Sequence, residues 1–503
     1  MSKLTATISE ESRLKNIESK TYINPAFHVF SSRTLGERKM RIYTTLVNPP
    51  YPQQAHQHPP FIPLGIGYLA AVLEKNQHKV DVIDCQALKF SCEDFKNEIS
   101  KRIPDIVGIT STTLTYKSAL QIAKTAKEAN PKCLTIIGGP HVTFWDENAL
   151  QESPHIDIIV RKEGENTLLE IVQKLEEGKN YHDVVGTTCR KNGKIIKNPD
   201  RPYIENLDQL PFPAHHLFLL EHMRKYGKVV FPVSTSRGCT FWCNFCSAVR
   251  MFGRRYRMRS PKSVVDELEF LKQKYDAQQF TFYDDAFTVD QSRVREICDD
   301  VQKRKLKITW DCETRVDMVT KELLQKMKKA GCIAVWFGVE AGSQRVIDAM
   351  AKGLTLERTK TTFKWARETG LMTIASVILG FPEETPETAW ETVKFVEKIS
   401  PDDVGFYIAT PYPGTPMYDY VKKMGWLKID DFNKYDTATP TFETPLITMK
   451  ELREIREKAL QKFYLRPGYV LRMFSRGGMY GYSASRTALA HLRRKMKSKL
   501  KQT

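Results

Sequence analysis

No stretch of the 503-residue sequence carries the roughly 18 consecutive apolar residues that a bilayer-crossing helix requires. The Met1 end also lacks the charged, apolar, then small-residue order of a secretory signal, so the expected location is cytoplasmic. Gly-x-Gly-x-x-Gly is missing, which removes sequence support for a nicotinamide or flavin dinucleotide site. Acidic residues are absent from Ala459 to Thr503 while eleven Lys and Arg fall there, so much of the net charge of +18 (77 Lys+Arg against 59 Asp+Glu) is local to that end. Cysteine is sparse. Of ten, Cys85, Cys92, Cys133, Cys189, Cys298, Cys312 and Cys332 lie far apart, which is not a disulfide framework.

What is present is material for a folded protein: 41% hydrophobic, 10% aromatic and 27% charged residues. At roughly 100–200 residues per domain, the length predicts about three domains. Residues 1–38 are polar and weakly periodic and are expected to be a flexible lead-in. From 39 to 190, apolar strand-like runs at Ile42–Val47, Lys79–Asp84, Ile106–Thr110, Leu134–Gly139 and Ile156–Val160 alternate with helical stretches. That alternation predicts a doubly wound α/β domain, Rossmann-like, with a parallel sheet and its ligand crevice at the strands' carboxyl ends. Asn48-Pro49-Pro50 and Gly138-Gly139-Pro140-His141 would sit on that edge, although Gly138 and Gly139 are equally read as simple turn residues. Residues 191–224, punctuated by Pro202, Pro211 and Pro213, read as a linker. From 225 to 428 six further strand-like runs alternate with helices, as in a partial (β/α)6 barrel similar to a TIM barrel, again with chemistry at the carboxyl ends. Residues 429–503 are expected to be helical and basic.

Directly after the first strand of the second series stands Cys239-x3-Cys243-x2-Cys246. Three thiolates this close face one centre, and soft sulfur donors suit zinc or an iron–sulfur cluster. Spacing alone admits both. Structural zinc closes four positions, however, and no His or Cys follows within the next thirty residues. A four-iron cluster held by three cysteines leaves one iron open, which implies catalysis.

With Phe245 just before the third cysteine, this loop resembles that of the radical S-adenosylmethionine (SAM) superfamily. The resemblance implies a 4Fe-4S cluster on Cys239, Cys243 and Cys246, SAM on the open iron, and reductive cleavage of SAM to a 5′-deoxyadenosyl radical. It further implies that Phe245 lies against the adenine, that Asp284 and Asp285 at the second strand's end approach the SAM amino group, and that Arg315 and Glu340 reach its ribose and carboxylate. Asp284 or Asp285 reads equally well as a helix cap. The preceding domain resembles that of the subgroup carrying an N-terminal cobalamin-binding domain, which implies cobalamin near Asn48, Gly138 and Gly139. The Asp-x-His-x-x-Gly motif that supplies an axial histidine in many cobalamin proteins is absent, and His141 is read as a packing or surface residue. A methylthiotransferase is disfavoured because no second three-cysteine cluster exists.

The subgroup includes tetraether lipid ring synthases, hopanoid methylases and anaerobic magnesium-protoporphyrin ester cyclases. Phe463 to Arg472, with Arg466-Pro467, resembles a tail of its lipid-acting members. Arg486 to Lys501 forms a basic amphipathic segment suited to an anionic membrane surface. The leading expectation is therefore carbon–carbon bond formation at an unactivated carbon of a membrane lipid, as in tetraether ring formation, with ferredoxin or flavodoxin as electron donor. The alternatives are cobalamin-dependent radical C-methylation, anaerobic ring cyclisation and, from another class, a non-catalytic metal-binding nucleic-acid protein. Nucleic acid is disfavoured as a partner because no interleaved aromatic platform accompanies the charges.

Overall fold

The β-branched runs of the first two hundred residues become strands because Val, Ile and Thr pack well on a pleated surface. In the computed structural model, which describes residues 41–52, 61–224, 229–466 and 469, they are β1 (Tyr43–Asn48), β2 (Lys79–Asp84), β3 (Ile106–Thr110), β4 (Leu134–Gly138) and β5 (Ile158–Val160). These five pair in parallel in the order β2-β1-β3-β4-β5. Side chains alternate across the sheet, and both faces are apolar. Val47, Ile109, Ile137 and Ile159 join one buried cluster, and Leu46, Ile106, Ile136 and Ile158 join another. The strand order reverses at β1, so the switch-point crevice opens between the carboxyl ends of β1 and β3.

The segment beyond this sheet departs from expectation. Thr187–Lys191 (β6) and Lys194–Lys197 (β7) extend the sheet antiparallel from β5, so the linker expected from 191 begins after Lys197. Asn192 and Gly193 turn the hairpin at φ +50° and +76°, the Asn-Gly preference of a two-residue β-turn.

The second series starts with β8 (Phe231–Val233) and a two-residue ribbon, β9 (Ser236–Arg237) against β10 (Arg257–Met258). It continues through β11 (Gln279–Phe282), β12 (Thr309–Arg315), β13 (Cys332–Glu340), β14 (Met372–Leu379) and β15 (Asp403–Ile408). The six long strands pair in parallel in sequence order, β8-β11-β12-β13-β14-β15. β8 and β15 stand at opposite ends of this sheet, so the barrel is partial. Helices cover its outside. Pro261–Tyr275, for example, is capped by the Ser260 hydroxyl accepting from the Ser263 N–H, and it buries Val264, Val265, Leu268 and Leu271.

In the third region Met449–Tyr464 forms a helix, capped by Thr448 and Glu451, that packs on the outside of the barrel. The stretch before it is irregular rather than helical and places Phe432 and Tyr435 in the first sheet's core. Among the described residues no helix is long and apolar enough to cross a membrane. The lead-in at 1–38 and the basic segment Arg486–Lys501 lie outside the described residues.

Candidate active site

The cysteine loop leaves the barrel at the end of β8, and its first residues are pinned from the neighbouring strand. Asp284, just past β11, accepts from the Thr235 N–H (2.7 Å), the Ser236 N–H (3.2 Å) and the Thr235 hydroxyl, with the Arg293 guanidinium 3.8 Å away. Arg293 also donates to the Thr235 carbonyl at 3.0 Å. Gly238 then turns the chain at φ +93°, where a Cβ would run into the Arg255 carbonyl oxygen. The loop's far side is tied by Asn244, whose N–H donates to the Met350 carbonyl (3.0 Å) and whose side-chain amide donates to that of Ala349 (2.8 Å).

These ties set Cys239, Cys243 and Cys246 around one small recess of about 30 Å³, also lined by Phe241, Trp242 and Pro416. Among the described residues no three His, Cys, Asp or Glu side chains converge as a single ion requires. Three sulfurs with no fourth His, Cys, Asp or Glu converging on them among the described residues leave a structural zinc site incomplete and suit a four-iron cluster that keeps one iron open. Burial pushes the Cys246 thiol up to about 12, and Cys239 and Cys243 in the same direction, so loading a metal releases protons.

Positive charge stands beside these sulfurs. Arg315, at the end of β12, forks onto Asp317 with two 2.9 Å bonds and donates to the Lys352 carbonyl at 2.7 Å. Its remaining nitrogen points to the Cys243 Sγ at 3.9 Å, and its guanidinium lies 3.7 Å from the centre of the Phe241 ring. At the end of β13 a bulge re-aims Glu340, held at φ +62°, onto the Lys352 ammonium, which also donates to the Gly338 carbonyl at 3.0 Å.

Above the loop the barrel interior opens into a chamber. Asp285, Glu313, Tyr283 and Tyr407 all present accessible surface, Tyr283 as much as 65%, yet burial among protein atoms is the first cause raising the pKa of each. The four lie near one another, since the Asp285 and Glu313 charges act on Tyr283 and the Glu313 charge acts on Tyr407 from across the barrel. Asp285 is raised to about 6, with the Asp284 charge adding to burial. Glu313 is raised to about 7, with Asp311, Asp285 and Glu340 adding. Tyr51, beyond β1, is close enough to Asp84 and Tyr283 for their charges to interact. Segments that follow the strands of the two sheets also touch: Gly414 packs on the Phe144 ring, and the Trp145 and Tyr418 rings lie 6.3 Å apart, so the carboxyl ends of both sheets meet.

The residues expected from sequence fare differently. Cys239, Cys243 and Cys246 share the recess, and Phe245 is half-buried on the same loop. Asp285 and Glu340 line or border the chamber. Asp284 is buried with its carboxylate on Thr235 and Ser236, where it supports the loop. Arg315 stands on Asp317, the Lys352 carbonyl and the Cys243 sulfur, beside the same loop.

On the first sheet, Asn48 donates to Asp84 at 2.8 Å and accepts from Gln86 at 3.3 Å, which leaves it a support of the crevice wall. A Cβ on Gly139 (φ +104°) would lie 2.7 Å from the Ser111 carbonyl oxygen, whereas one on Gly138 meets nothing nearer than 3.5 Å. His141 is packed: its ring lies 4.2 Å from Tyr116 and 4.6 Å from Phe432, and burial pulls its pKa down to about 3. Sequence reading missed Glu313, Lys352, Tyr283 and Tyr407. Glu313 alone carried a signal, two residues before Arg315 on one strand and so on the same face.

Known proteins carry these features together. The B12 binding domain family matches residues 57–172, and the Radical SAM superfamily matches residues 233–396. An uncharacterized methyltransferase of Pyrococcus horikoshii is 37% identical over 410 residues, 82% of this chain and 89% of that protein. The anaerobic magnesium-protoporphyrin IX monomethyl ester cyclase of Rubrivivax gelatinosus is 32% identical over 424 residues, 82% of this chain and 76% of that one. Among solved structures, the cobalamin-dependent S-adenosylmethionine radical enzyme OxsB, with aqua-cobalamin and S-adenosylmethionine bound, superposes at a TM-score of 0.72 and 18% identity, covering 93% of this chain and 76% of that one. The chain belongs to the radical SAM enzymes that carry a B12-binding domain, and its cofactors are accordingly a 4Fe-4S cluster, SAM and cobalamin.

Proposed function

We propose that the chain is a cobalamin-dependent radical C-methyltransferase acting on an unactivated carbon of a small molecule. The observation that carries this reading is the meeting of the two sheets' carboxyl ends: Gly414 packs on Phe144, and Tyr51 of the first domain is close enough to Tyr283 of the barrel for their charges to interact, with Asp285, Glu313 and the cysteine loop nearby. A hydrogen-abstracting centre on one sheet and a methyl-donating centre on the other then reach one substrate. When bound, the cluster with SAM supplies a radical that removes a hydrogen atom, and cobalamin supplies the methyl group. The chain's own residues hold and orient. Arg315 keeps positive charge against Cys243, Lys352 fixes Glu340 at the chamber edge, and the Tyr283 and Tyr407 rings offer flat apolar walls for the substrate body.

Ring formation in a tetraether lipid, the leading expectation from sequence, gives way to this alternative, because the two relatives are named as a methyltransferase and a cyclase. Cyclisation without methyl transfer is the second reading, favoured by the 32% identical cyclase. A lipid substrate, membrane contact through the basic end and a ferredoxin or flavodoxin donor stay as finer proposals. Only the first part of the lipid-type tail, up to Arg466, lies within the continuous described segment.

The test is anaerobic reconstitution followed by incubation with SAM, a strong reductant and cobalamin, with both SAM products quantified. Methyl transfer predicts 5′-deoxyadenosine and S-adenosylhomocysteine, each dependent on the protein. Cyclisation predicts the first alone. The Cys246→Ala variant is expected to lose 5′-deoxyadenosine release by at least about a hundredfold, since a cluster lacking one of three protein ligands is not retained. Release of neither product by iron-loaded wild type would defeat both readings.

A further inference from the structure

The cysteine loop leaves and re-enters the barrel through the β9–β10 ribbon, in whose register Arg237 stands directly opposite Arg257. Like charges placed so repel, and they oppose the bonds that close this short ribbon: Arg259 N–H to the Thr235 carbonyl (2.9 Å), Cys239 N–H to the Gly253 carbonyl (3.3 Å) and the Arg293 guanidinium shared by the Thr235 and Arg259 carbonyls. Both arginines nevertheless turn onto one carboxylate from the other half of the protein. Glu163 binds Arg237 Nη1 at 3.2 Å and Arg257 Nη1 at 2.8 and 3.0 Å, and it accepts the Ile204 N–H at 2.8 Å. Glu165 takes the second arm of Arg237 at 2.6 Å. Side-chain exposure is 5% for Glu163, 2% for Arg257, 11% for Arg237 and 6% for Glu165, so solvent does little to screen the repulsion or the pairing. Tyrosine rings back the guanidiniums, Tyr68 at 5.3 Å from Arg237 and Tyr203 at 4.8 Å from Arg257.

The two carboxylates come from the segment that follows β5, at the carboxyl edge of the first sheet. Glu165 opens the helix Glu165–Glu176, where negative charge is favoured. Between them Gly164 passes close to Leu69 and Val160, and a Cβ there would lie 3.3 and 3.4 Å from their side chains.

We propose that Glu163-Gly164-Glu165 of the B12-binding half is a clamp that holds the two ends of the cysteine loop together, so that the first domain sets how tightly the second retains its cluster. Glu163 and Glu165 are positioning residues, acting on the cluster only through the ribbon. The inference rests on the reading of the loop as a cluster site.

The test compares wild type, Glu163→Gln and Glu165→Gln as full chains, anaerobically reconstituted. Hydrogen exchange is followed in peptides covering 236–258, with β13 as internal reference, together with the rate at which an iron chelator strips the protein and the electron paramagnetic resonance line of the reduced cluster. Glu163→Gln is expected to exchange and lose iron at least about tenfold faster in that segment while β13 is unchanged, with a broadened resonance. Glu165→Gln, which leaves Arg237 bonded to Glu163, is expected to move in the same direction by about threefold. Exchange and iron loss within twofold of wild type in both variants overturn the clamp. Should Glu163→Gln not fold, Glu165→Gln decides alone by the same criterion. Wild type that takes up no iron would instead defeat the cluster reading, and the exchange of 236–258 still judges the clamp.

Discussion

Glu384, four residues beyond Gly380 at the end of β14, has no exposed surface. One carboxyl oxygen accepts the Gly380 N–H, and the other has no hydrogen-bond partner among the described residues. Burial pushes its pKa from 4.5 to about 8, against the smaller downward pull of that hydrogen bond. The fold therefore keeps a proton that the unfolded chain gives up above about pH 4.5. The associated stability is present in full below that value and is lost by about 1.4 kcal/mol per pH unit until about pH 8.

Glu384→Gln removes the titration while leaving an amide oxygen for the Gly380 N–H. Between pH 6 and 8 the variant should gain about 2 kcal/mol on wild type. Denaturant midpoints read by tryptophan fluorescence at pH 6, 7 and 8, with both proteins measured in the same buffers, isolate this term, because every other titrating group is common to the pair. A difference that stays constant with pH would refute the reasoning, and it would mean that the carboxyl is ionised inside the fold.

Gly139→Ala, which forces a Cβ against the Ser111 backbone at φ +104°, should cost at least about 2 kcal/mol and weaken cobalamin binding, whereas Gly138→Ala should stay within about 0.5 kcal/mol. Thermal melts and cobalamin titrations of the two variants check the contrast. In the chamber, the Glu313 carboxylate forms as pH rises through about 7, which favours a cationic ligand. The SAM dissociation constant of wild type should therefore tighten about fivefold from pH 6 to 8, an effect of order 1 kcal/mol, and Glu313→Gln should flatten that dependence. Equilibrium dialysis at fixed ionic strength measures both.

Much of the fold was legible because the strands are continuous β-branched runs, five in the first sheet and six in the second. The hairpin of β6 and β7 escaped because Thr187–Lys191 and Lys194–Lys197 are short and rich in lysine. Asn192-Gly193 was the signal that marks it. In the site, the three cysteines were legible because their partners are local. Asp284 and Asp285 could not be told apart, since adjacent residues point to opposite sides of a strand end and only the fold shows which side is solvent. Arg315 was legible as a residue of its strand end, but its partners Asp317 and the Lys352 carbonyl were not, because they follow from loop geometry. Glu163 and Glu165 were invisible for a related reason. Their partner Arg237 lies 74 and 72 residues away, and nothing in a glutamate shows that it will be buried against arginine.

The charges of the chamber argue for a division of labour between the two halves. Asp285 and Glu313 carry raised pKa values because they are desolvated near other carboxylates, while Arg315 and Lys352 beside the cysteine loop are engaged with Asp317 and Glu340. Such an arrangement is costly when empty and relaxes when a cation enters. SAM, with its sulfonium and amino groups, is such a ligand. On the first sheet Asp84 is likewise raised by burial, to about 6; one of its oxygens accepts from Asn48 and from the Gln86 and Ala87 N–H groups, the other has no hydrogen-bond partner among the described residues, and Gly139 packs its bare backbone on Ser111. Charge substitution at Glu313 should therefore change SAM binding, whereas cobalamin binding should follow the shape of the Gly139 turn.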